Sequence, residues 1–448
     1  MNIAALSLAA LILALILSMG TSVNVGLVAL VLAWLVGVYA GGMRVEQVLA
    51  GFPVGLFLTL VGITLLFAQA QVNGTLERLS HRAIRACRGN AGAIAPMFFV
   101  LTAVLSSVGP GNIASTALMA PVGMAAAGRY GIPPFLMAIM IANGASAGSV
   151  SPFAPTGVIV NGVAAKIGLP DASWTIYLNN FAAHAAVAFA GYLLFGGWRL
   201  FAQRQVPRTG DVVGAASRRP KAELQVIPPI SEADDDPEVR WRQAQEGSDP
   251  FDWRHVMTLA VIVALVLSVV FLQLNVGLAA LAGAVLLTLV RAADERKAVA
   301  AMPWQVIMMV SGITVLVALL EKSGGMDLFT QFLARFTTPA TSTAVAAFFT
   351  GIVSIYSSTT GVVLPALLPT IPGLIQHVGG GDPMALLSSM TVGGHLVDVS
   401  PLSTLGALCL AAAPAGTDTR RLFNQLLVWG ASMAFVGAAV SWVLFGLL

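Results

Sequence analysis

Ser146-Ala-Gly-Ser-Val-Ser-Pro-Phe-Ala-Pro-Thr-Gly157 lies in the middle of a long apolar segment, 133–167. Its prolines, glycines and hydroxyl side chains disfavour a continuous helix, so the sequence predicts a membrane span that is broken at its centre. The pattern recurs in the second half of the chain, where Ser151-Pro152 returns as Ser400-Pro401, an offset of 249 residues. Matching breaks in two apolar halves indicate the binding site of a transporter.

The same internal repeat extends upstream of these breaks at an offset of 250 residues. Gly62-Ile63-Thr64 returns as Gly312-Ile313-Thr314, and Ser107 returns as Ser357. One deleted residue in the second half accounts for the change of offset from 250 to 249. The chain is therefore predicted to be a duplication of one unit rather than a series of unrelated spans.

The composition is that of an all-α polytopic membrane protein, with 57% hydrophobic and 10% charged residues. The alternating strands of an outer-membrane barrel are absent from the sequence. The first apolar run, 3–19, has no preceding Lys or Arg and is interpreted as a span, not as a signal peptide. Cys87 and Cys409 lie in unrelated segments, so no disulfide framework or metal cluster is expected.

Residues 1–201 form the first predicted repeat. It comprises scaffold spans within 1–72, an interfacial amphipathic helix at 75–88, a re-entrant hairpin at 95–128, the broken span 133–167 and a final span at 174–201. The hairpin is predicted because its apolar arms, about 95–108 and 113–128, are shorter than the ~20 residues of a membrane span. Gly109-Pro110-Gly111-Asn112 between the arms is a turn signal.

Residues 254–448 form the second predicted repeat. It comprises scaffold spans within 254–321, an interfacial helix at 327–337, a hairpin at 341–373 that turns at Ser357–Gly361, a broken span at 383–412 and a final span at 421–447. The charged, proline-containing segment 202–253 is predicted to be a solvated linker. Each half has five crossings, an odd number, so the halves are predicted to be inverted relative to each other.

The distribution of basic residues supports this topology. The chain has 23 Lys and Arg residues, and the predicted topology places 19 of them on one face. The opposite face has only Arg44, Lys166, Lys322 and Arg335. Positively charged loops remain on the cytoplasmic side. The linker is therefore predicted to be cytoplasmic and both termini to lie outside, in a bacterial-type cytoplasmic (inner) membrane. This orientation explains the net charge of +3 better than nucleic-acid binding does.

Polar side chains are concentrated at the two hairpin tips and the two breaks. A helix broken within the bilayer exposes N–H groups that attract anions and carbonyl groups that attract cations. Asp398 stands out, because a carboxylate at such depth costs about 2.5–3.5 kcal/mol on insertion scales and is usually functional. A satisfied structural carboxylate beside His395 is the alternative. His184 is interpreted as a packed polar residue.

Five stretches of the sequence resemble those of the MatC-type dicarboxylate carriers. They are Asn73-Gly-Thr75, Gly109-Pro-Gly-Asn-Ile-Ala-Ser-Thr-Ala-Leu-Met-Ala-Pro121, Gly144-Ala-Ser-Ala-Gly-Ser-Val-Ser-Pro152, Val160-Asn161-Gly162 and Asp398-Val-Ser-Pro401. The family belongs to the ion transporter superfamily, which includes the divalent anion/sodium symporters. The resemblance covers both halves and excludes the linker.

The resemblance implies a homodimer in which scaffold spans stay still while hairpins, broken spans and final helices move as an elevator. It also implies one cation site in each half, beside a dicarboxylate held between the hairpin tips. Each tip of the symporters carries Ser-Asn-Thr. Here Gly111-Asn112-Ile113 keeps only the Asn and Gly361-Val362-Val363 keeps none. Both Na+ and H+ therefore remain open as the coupling ion.

On this basis we predict two overlapping sets of site residues. Substrate contacts are expected at Ser107, Asn112, Ser115, Ser151, Thr156, Thr359, Thr360, Ser400, Ser403 and Thr404. The coupling cation, including Na+ if Na+ is used, is expected at Ser107, Asn112, Gly148, Ser149, Ser357, Gly361, His395 and Asp398. No Arg or Lys is expected at midplane depth, so helix N-termini and hydroxyl groups would bind the anion.

The sequence thus predicts an ion-coupled secondary transporter of small dicarboxylates such as malonate or succinate. Its expected partners are the dicarboxylate, a coupling cation, membrane lipid and a second copy of the chain, with no organic cofactor and no nucleic acid. Transport of another small anion is the main alternative. An intramembrane aspartyl protease is disfavoured, because Asp382 of Gly379-Gly-Gly-Asp382 falls in a loop and lacks a second catalytic Asp. A channel would lack saturation and counterflow exchange.

Overall fold

The computed structural model describes residues 2–20, 23–76, 78–79, 82, 90–169, 172–201, 252–272, 274–414 and 416–446. All regular elements within these ranges are helical, which confirms the all-α prediction. Nearly all of the predicted linker 202–253, and most of the predicted interfacial helix 75–88, lie outside the described residues.

Six helices of the described part are long and apolar enough to cross a membrane, and five further apolar helices are shorter. These helices identify a multi-pass membrane protein. The count of ten crossings and two hairpins stays a prediction.

The first half has helices with asparagine caps. Asn24 accepts a hydrogen bond from the N–H of Gly26, and Asn90 accepts one from Gly92. In chain order the helices are α1 (Ile3–Gly20), α2 (Val25–Trp34, continued by a π-helical turn, Leu35–Ala40), α3 (Val45–Leu49), α4 (Val54–Val72), α5 (Ala91–Val108), α6 (Gly111–Tyr130), α7 (Pro134–Gly148), α8 (Pro155–Lys166) and α9 (Ser173–Leu194).

The second half has its elements in a similar order, and Asn275 caps α11 as Asn24 caps α2. The helices are α10 (Trp253–Leu272), α11 (Val276–Leu289), α12 (Glu295–Ala301), α13 (Trp304–Ser323), α14 (Gly325–Ala334), α15 (Ser342–Tyr356), α16 (Leu364–Leu367, preceded by a π-helical turn, Thr359–Val363), α17 (Ile371–Val378), α18 (Pro383–Leu396), α19 (Thr404–Ala411) and α20 (Thr419–Ser441).

Both arms of the first hairpin are longer than their apolar stretches. α5 has 18 residues and α6 has 20. The argument that these arms are too short to cross is therefore wrong, because at about 1.5 Å per residue each approaches the ~30 Å hydrocarbon core. The Asn90 cap starts α5 within the polar stretch, and Gly131, in the left-handed conformation, ends α6. In the second hairpin the turn is confined to Ser357 and Ser358, since Thr359 begins the next helical segment.

The two broken spans have matching hydrogen bonds at their breaks. The N–H of Ala154 donates to the carbonyl of Ser151 at 2.9 Å, and the N–H of Ser403 donates to that of Ser400 at 3.0 Å. In both breaks the serine Oγ also accepts a hydrogen bond from the N–H two residues later, at 3.3 Å. The repeated Ser-Pro pair therefore forms the same tight turn twice.

Four glycines bring helices of the two halves into backbone contact. Where α4 crosses α11, a Cβ on Gly62 would overlap the carbonyl oxygen of Gly277. Where α2 crosses α13, a Cβ on Gly312 would overlap the carbonyl oxygen of Gly26. Such close approach of two helix backbones requires glycine. Because Gly62 and Gly312 are repeat counterparts, the two crossings use equivalent positions with the halves exchanged.

Gly62→Ala is expected to lower the melting temperature of the protein. Alanine favours a helix over glycine by roughly 0.5–1 kcal/mol, but here its Cβ would overlap the backbone of Gly277, and no rotamer change relieves that overlap. Gly55→Ala is the matched control, since Gly55 lies on the same helix with nothing within 4 Å of its Cβ position. Size-exclusion chromatography after heating measures both variants. A Gly62→Ala protein as stable as Gly55→Ala would contradict the packing described here.

α14 is steeply inclined to the helix that follows it, with a bend of 93° between Gly325–Ala334 and 339–355. It begins two residues before the predicted 327–337, because Gly324 at φ 77° ends α13 and starts α14 directly. Phe332 and Phe336 are 50% and 56% exposed, which suits an apolar face directed to lipid. The interfacial position of α14 stays a prediction.

Candidate functional site

The two hairpin tips and the second break meet around one cavity of about 200 Å³. It is lined by Asn112, Ile113, Met309, Ser357, Ser358, Thr359, Thr360, Asp398, Leu402, Ser403, Thr404 and Leu405. At roughly 30 Å³ per water molecule, this is the space of about seven waters. The cavity is therefore of a size for a small organic ion.

Three helix N-termini border the cavity. They are the start of α6 at Asn112, the start of the π-helical turn at Thr359, and the start of α19 at Thr404. Ser358 and Ser403 are the N-cap residues of the second and third. The first N–H groups of a helix lack intrahelical acceptors and carry the positive end of its dipole. No Lys or Arg is among the lining residues, so these N–H groups and the hydroxyls are the groups of the cavity that suit an anion.

Asp398 is the acidic residue of the cavity wall, and it is 5% exposed. Its Oδ1 accepts a hydrogen bond from the Thr359 hydroxyl at 2.6 Å. The same hydroxyl lies 3.3 Å from the carbonyl oxygen of Gly394 and contacts the hydroxyl of Ser354. Ser403 donates to the Asp398 carbonyl oxygen at 2.7 Å. Carboxylate, hydroxyl and carbonyl oxygens are thus collected at one place, and such oxygens are the ligands of hard cations.

Hydroxyl groups connect the hairpin tips to the breaks. Ser151 donates to the carbonyl oxygen of Ser107 at 2.6 Å, which joins the first break to the first hairpin. The hydroxyls of Thr156 and Thr360 lie 2.9 Å apart and join the first break to the second tip, across the repeat. These contacts fix the directions in which the helix N-termini point.

Half of the residues predicted for substrate binding line the cavity. These are Asn112, Thr359, Thr360, Ser403 and Thr404, whereas Ser107, Ser115, Ser151, Thr156 and Ser400 do not line it. Ser107, Ser151 and Thr156 make the tip contacts described above, and the Ser400 hydroxyl accepts from the N–H of Leu402. Ser115 is 1% exposed on α6. Polar residues near the tips and breaks therefore lie away from the cavity as often as they line it, and several of these form hydrogen bonds with other protein groups instead.

The predicted cation positions separate into three groups. Asn112, Ser357 and Asp398 line the cavity. Gly148 and Ser149 are buried at the first break, where Gly148 packs against the backbone of the half-buried Ser107 and Ser149 donates to the carbonyl of Ser146 at 2.8 Å. Gly361 and His395 lie beside the cavity without lining it. A Cβ on Gly361 would overlap the Sδ of Met309.

The His395 ring contacts its own helix, α18, and one residue of α9. Its Nδ1 lies 2.8 Å from the carbonyl oxygen of Thr391, and its ring meets that of His184 edge to face at 6.4 Å between centroids. His184 Nδ1 lies 3.0 Å from the amide oxygen of Asn143. His184 is thus packed among polar groups of the broken spans.

Five lining residues lie outside the predicted site. They are Ile113, Met309, Ser358, Leu402 and Leu405. Ser358 had a sequence signal, because it belongs to the Ser-Ser-Thr-Thr run of the second tip. Met309 had none, since it comes from α13 and reaches the tip only through tertiary packing.

The chain was compared with known proteins. Residues 1–149 match the family model of the dicarboxylate carrier protein MatC N-terminus. A search of curated protein sequences finds no significant match. Among solved structures, the fold is similar to that of Neisseria gonorrhoeae MtrF, described with a class of antimetabolite efflux pumps. The TM-score is 0.59 at 12% identity, over 100% of this chain and 96% of that chain.

At 12% identity the likeness to MtrF shows the fold alone. The family match points to transport rather than to catalysis. Residues 1–149 are therefore similar to the N-terminal region of MatC-type dicarboxylate carriers, which confirms the resemblance seen in the motifs of this part of the chain.

Proposed function

We propose that this protein is an ion-coupled secondary transporter of small dicarboxylates, such as malonate or succinate, in the cytoplasmic membrane. The observation that carries the proposal is the cavity in which three helix N-termini and Asp398 face the same small volume. Malonate and succinate have seven and eight non-hydrogen atoms, which suits about 200 Å³. The family match of residues 1–149 supports a dicarboxylate over other small anions.

Asp398 gives a physical reason for coupling. An ionised Asp398 and a dicarboxylate in one small cavity repel each other, by about 4 kcal/mol for two unit charges 4 Å apart at an effective dielectric constant of 20. A cation or proton on Asp398 removes this repulsion, so substrate and cation bind cooperatively. Thr359 and Gly394 offer further oxygens for Na+, whereas H+ needs the carboxylate alone. Both ions remain in the proposal.

The halves are proposed to be inverted repeats that operate as an elevator in each protomer of a homodimer. The equivalent glycine crossings and the matching breaks support the duplication. In this mechanism α1–α4 and α10–α13 form the scaffold, and the hairpins, broken spans, α9 and α20 move past it. Each tip lies against a scaffold helix, with Gly109 on Phe67 of α4 and Gly361 on Met309 of α13. These two close approaches are the sliding surfaces of the proposal.

Purified protein in liposomes tests the substrate and the coupling together. Labelled malonate and succinate are offered under a sodium gradient, a proton gradient or no gradient, with a monocarboxylate and sulfate as competitors. Accumulation of a dicarboxylate under one gradient, with saturation and counterflow exchange, is the expected result. Saturable transport of sulfate without dicarboxylate transport would contradict the proposal that dicarboxylates are the substrates and would favour an inorganic anion. Flux that shows neither saturation nor counterflow would indicate a channel.

Asn112→Asp is expected to raise the half-saturating dicarboxylate concentration by at least about tenfold. The substitution keeps the size of the side chain and adds a negative charge to a wall that faces the bound anion, and such like-charge contacts cost several kcal/mol at low dielectric. Asn112→Ser removes the amide without adding charge, and it separates the two effects. Concentration-dependent uptake measures both variants. Equal half-saturation for Asn112→Asp and the parent protein would place the substrate elsewhere.

A further inference from the structure

A second cavity, of about 370 Å³, lies at the ends of four scaffold helices. It is lined by Val72 and Asn73 of α4, Arg254 of α10, Arg291, Ala292, Ala293 and Asp294 after α11, and Lys297 of α12. It shares no residue with the substrate cavity. The second cavity is therefore distinct from the proposed substrate site.

Two basic side chains of this second cavity form only long ion pairs with acidic neighbours. Arg254 Nε lies 3.9 Å from Asp252, and Lys297 Nζ lies 3.9 Å from Asp294, both longer than a hydrogen bond. All four side chains of these pairs are about half exposed or more. Exposed pairs of this geometry contribute little, so the two cations can turn toward a stronger anion at small cost.

Arg291 adds an observation of a different kind. It is the single non-glycine residue with positive φ in the described part of the chain, at 56°. A residue with a Cβ is strained in this conformation, and such outliers cluster at binding sites. At the corresponding turn of the first half the chain passes through Gly41 and Gly42, the latter at φ 62°. Arg291 therefore lies at the second cavity in a backbone conformation that glycine adopts with less strain.

Exposed apolar side chains lie on α10 and α11, two of the helices that end at the second cavity. Trp253 beside Arg254 is 51% exposed, and Leu286 and Leu289 near the end of α11 are 45% and 74% exposed. Val256 on α10 is 55% exposed. An aromatic residue among aliphatic ones at the end of a membrane helix is typical of the boundary between acyl chains and headgroups. The basic cavity thus opens where lipid headgroups would lie.

The repeat provides an internal comparison. Asn73 donates to the Thr258 hydroxyl at 2.8 Å, and Ser323, the counterpart of Asn73, lies 2.7 Å from Ser7, which is one position before the counterpart of Thr258. The framework is therefore present in both halves. At the offset of 250, however, Arg254, Arg291 and Lys297 correspond to Ala4, Gly41 and Gln47. The lining residues Val72 and Asp294 in turn correspond to Lys322 and Arg44, so the first half has two basic residues at the counterpart positions and the second half has three.

We propose that the second cavity binds the phosphate headgroup of an anionic phospholipid, whose acyl chains follow the exposed faces of α10 and α11. Three flexible cations around a concave site match a phosphodiester, and basic pockets between membrane helices bind such headgroups. The orientation proposed above places this lipid in the cytoplasmic leaflet.

Native mass spectrometry of the full-length protein in a neutral detergent tests the proposal. The probes are phosphatidylglycerol, phosphatidylcholine of the same chain length, and inorganic phosphate as a competitor. The variant Arg254→Gln/Arg291→Gly/Lys297→Gln removes the cations, and glycine suits the backbone at position 291. Arg296→Gln is the matched control, because Arg296 is exposed on α12 but does not line the cavity.

The expected result is retention of phosphatidylglycerol at much lower concentration than phosphatidylcholine. At about 1 kcal/mol for each basic residue, the triple variant should lose affinity roughly a hundredfold, and Arg296→Gln should match the parent protein. Equal retention of the two lipids, or an unchanged triple variant, would overturn the proposal. So would full displacement by millimolar phosphate, since the site would then bind free phosphate.

Discussion

Asp398→Asn is expected to abolish uphill accumulation of dicarboxylate while counterflow exchange continues. The amide keeps the size of the side chain and can still accept the hydrogen bond from Thr359, but it carries no charge for a proton or Na+ to neutralise. In the parent protein the coupling cation should raise the affinity for substrate about 5–150-fold, the usual range of such coupling. In the variant this dependence should disappear. Proteoliposomes with and without a cation gradient measure both quantities.

Asp382→Asn is the matched control for this experiment. Asp382 caps the start of α18, in the same broken span as Asp398, and it is exposed. Asparagine is an equally good cap, so folding and transport should stay at the level of the parent protein. If Asp398→Asn still accumulates substrate with unchanged dependence on pH from 5.5 to 8 and on sodium, Asp398 has no part in coupling.

A thiol cross-link between Met309→Cys and Gly361→Cys is expected to stop transport. Met309 lies on the proposed scaffold and Gly361 on the second hairpin tip, and a Cβ on Gly361 would overlap the Met309 side chain. Hg2+ bridges two such thiolates and would pin the tip to the scaffold. The background protein carries Cys87→Ser and Cys409→Ala, which removes the two native thiols. Uptake in proteoliposomes should vanish with Hg2+ and return when excess dithiol removes the Hg2+ by ligand exchange.

The pair Thr156→Cys and Thr360→Cys gives the opposite expectation. The two hydroxyls lie 2.9 Å apart, but both positions belong to the proposed moving part. Because Thr360 lines the substrate cavity, uptake by the double-cysteine protein without Hg2+ is the reference. The cross-link should leave most of that uptake intact if the tip and the break travel together. Arrest by both cross-links would favour a gate that opens between tip and break over an elevator. If neither cross-link stops transport, the contact between Met309 and Gly361 is not a sliding surface.

The helical breaks could be located from the sequence because their signal is local. The serines and the proline at 149–154 act on their own backbone, and the structure places the interruption between α7 and α8 at those residues. The lengths of the hairpin arms could not be read in the same way. Asn90 extends α5 through a capping hydrogen bond, and hydropathy does not register such a bond.

The predicted residues that line the cavity belong to the two hairpin tips and to the second break. Asn112, Thr359 and Asp398 could be predicted because polar side chains are concentrated at the tips and breaks of an otherwise apolar sequence. Thr156 and Ser151 have the same chemistry, yet they bond to neighbouring backbone or hydroxyl groups. The sequence does not distinguish a side chain that lines the cavity from one that bonds to a protein group, because this depends on which partner lies within about 3 Å.

The helix N-termini around the cavity have a consequence for genetics. Main-chain N–H groups at Asn112, Thr359 and Thr404 are the anion donors of the proposed site, and every amino acid except proline supplies them. A systematic alanine scan would therefore leave the donors in place and would report mainly on Asp398 and on packing. Proline scanning across these first turns would remove the donors one at a time. A binding site of this construction can vary widely in sequence while the ligand that it holds stays the same.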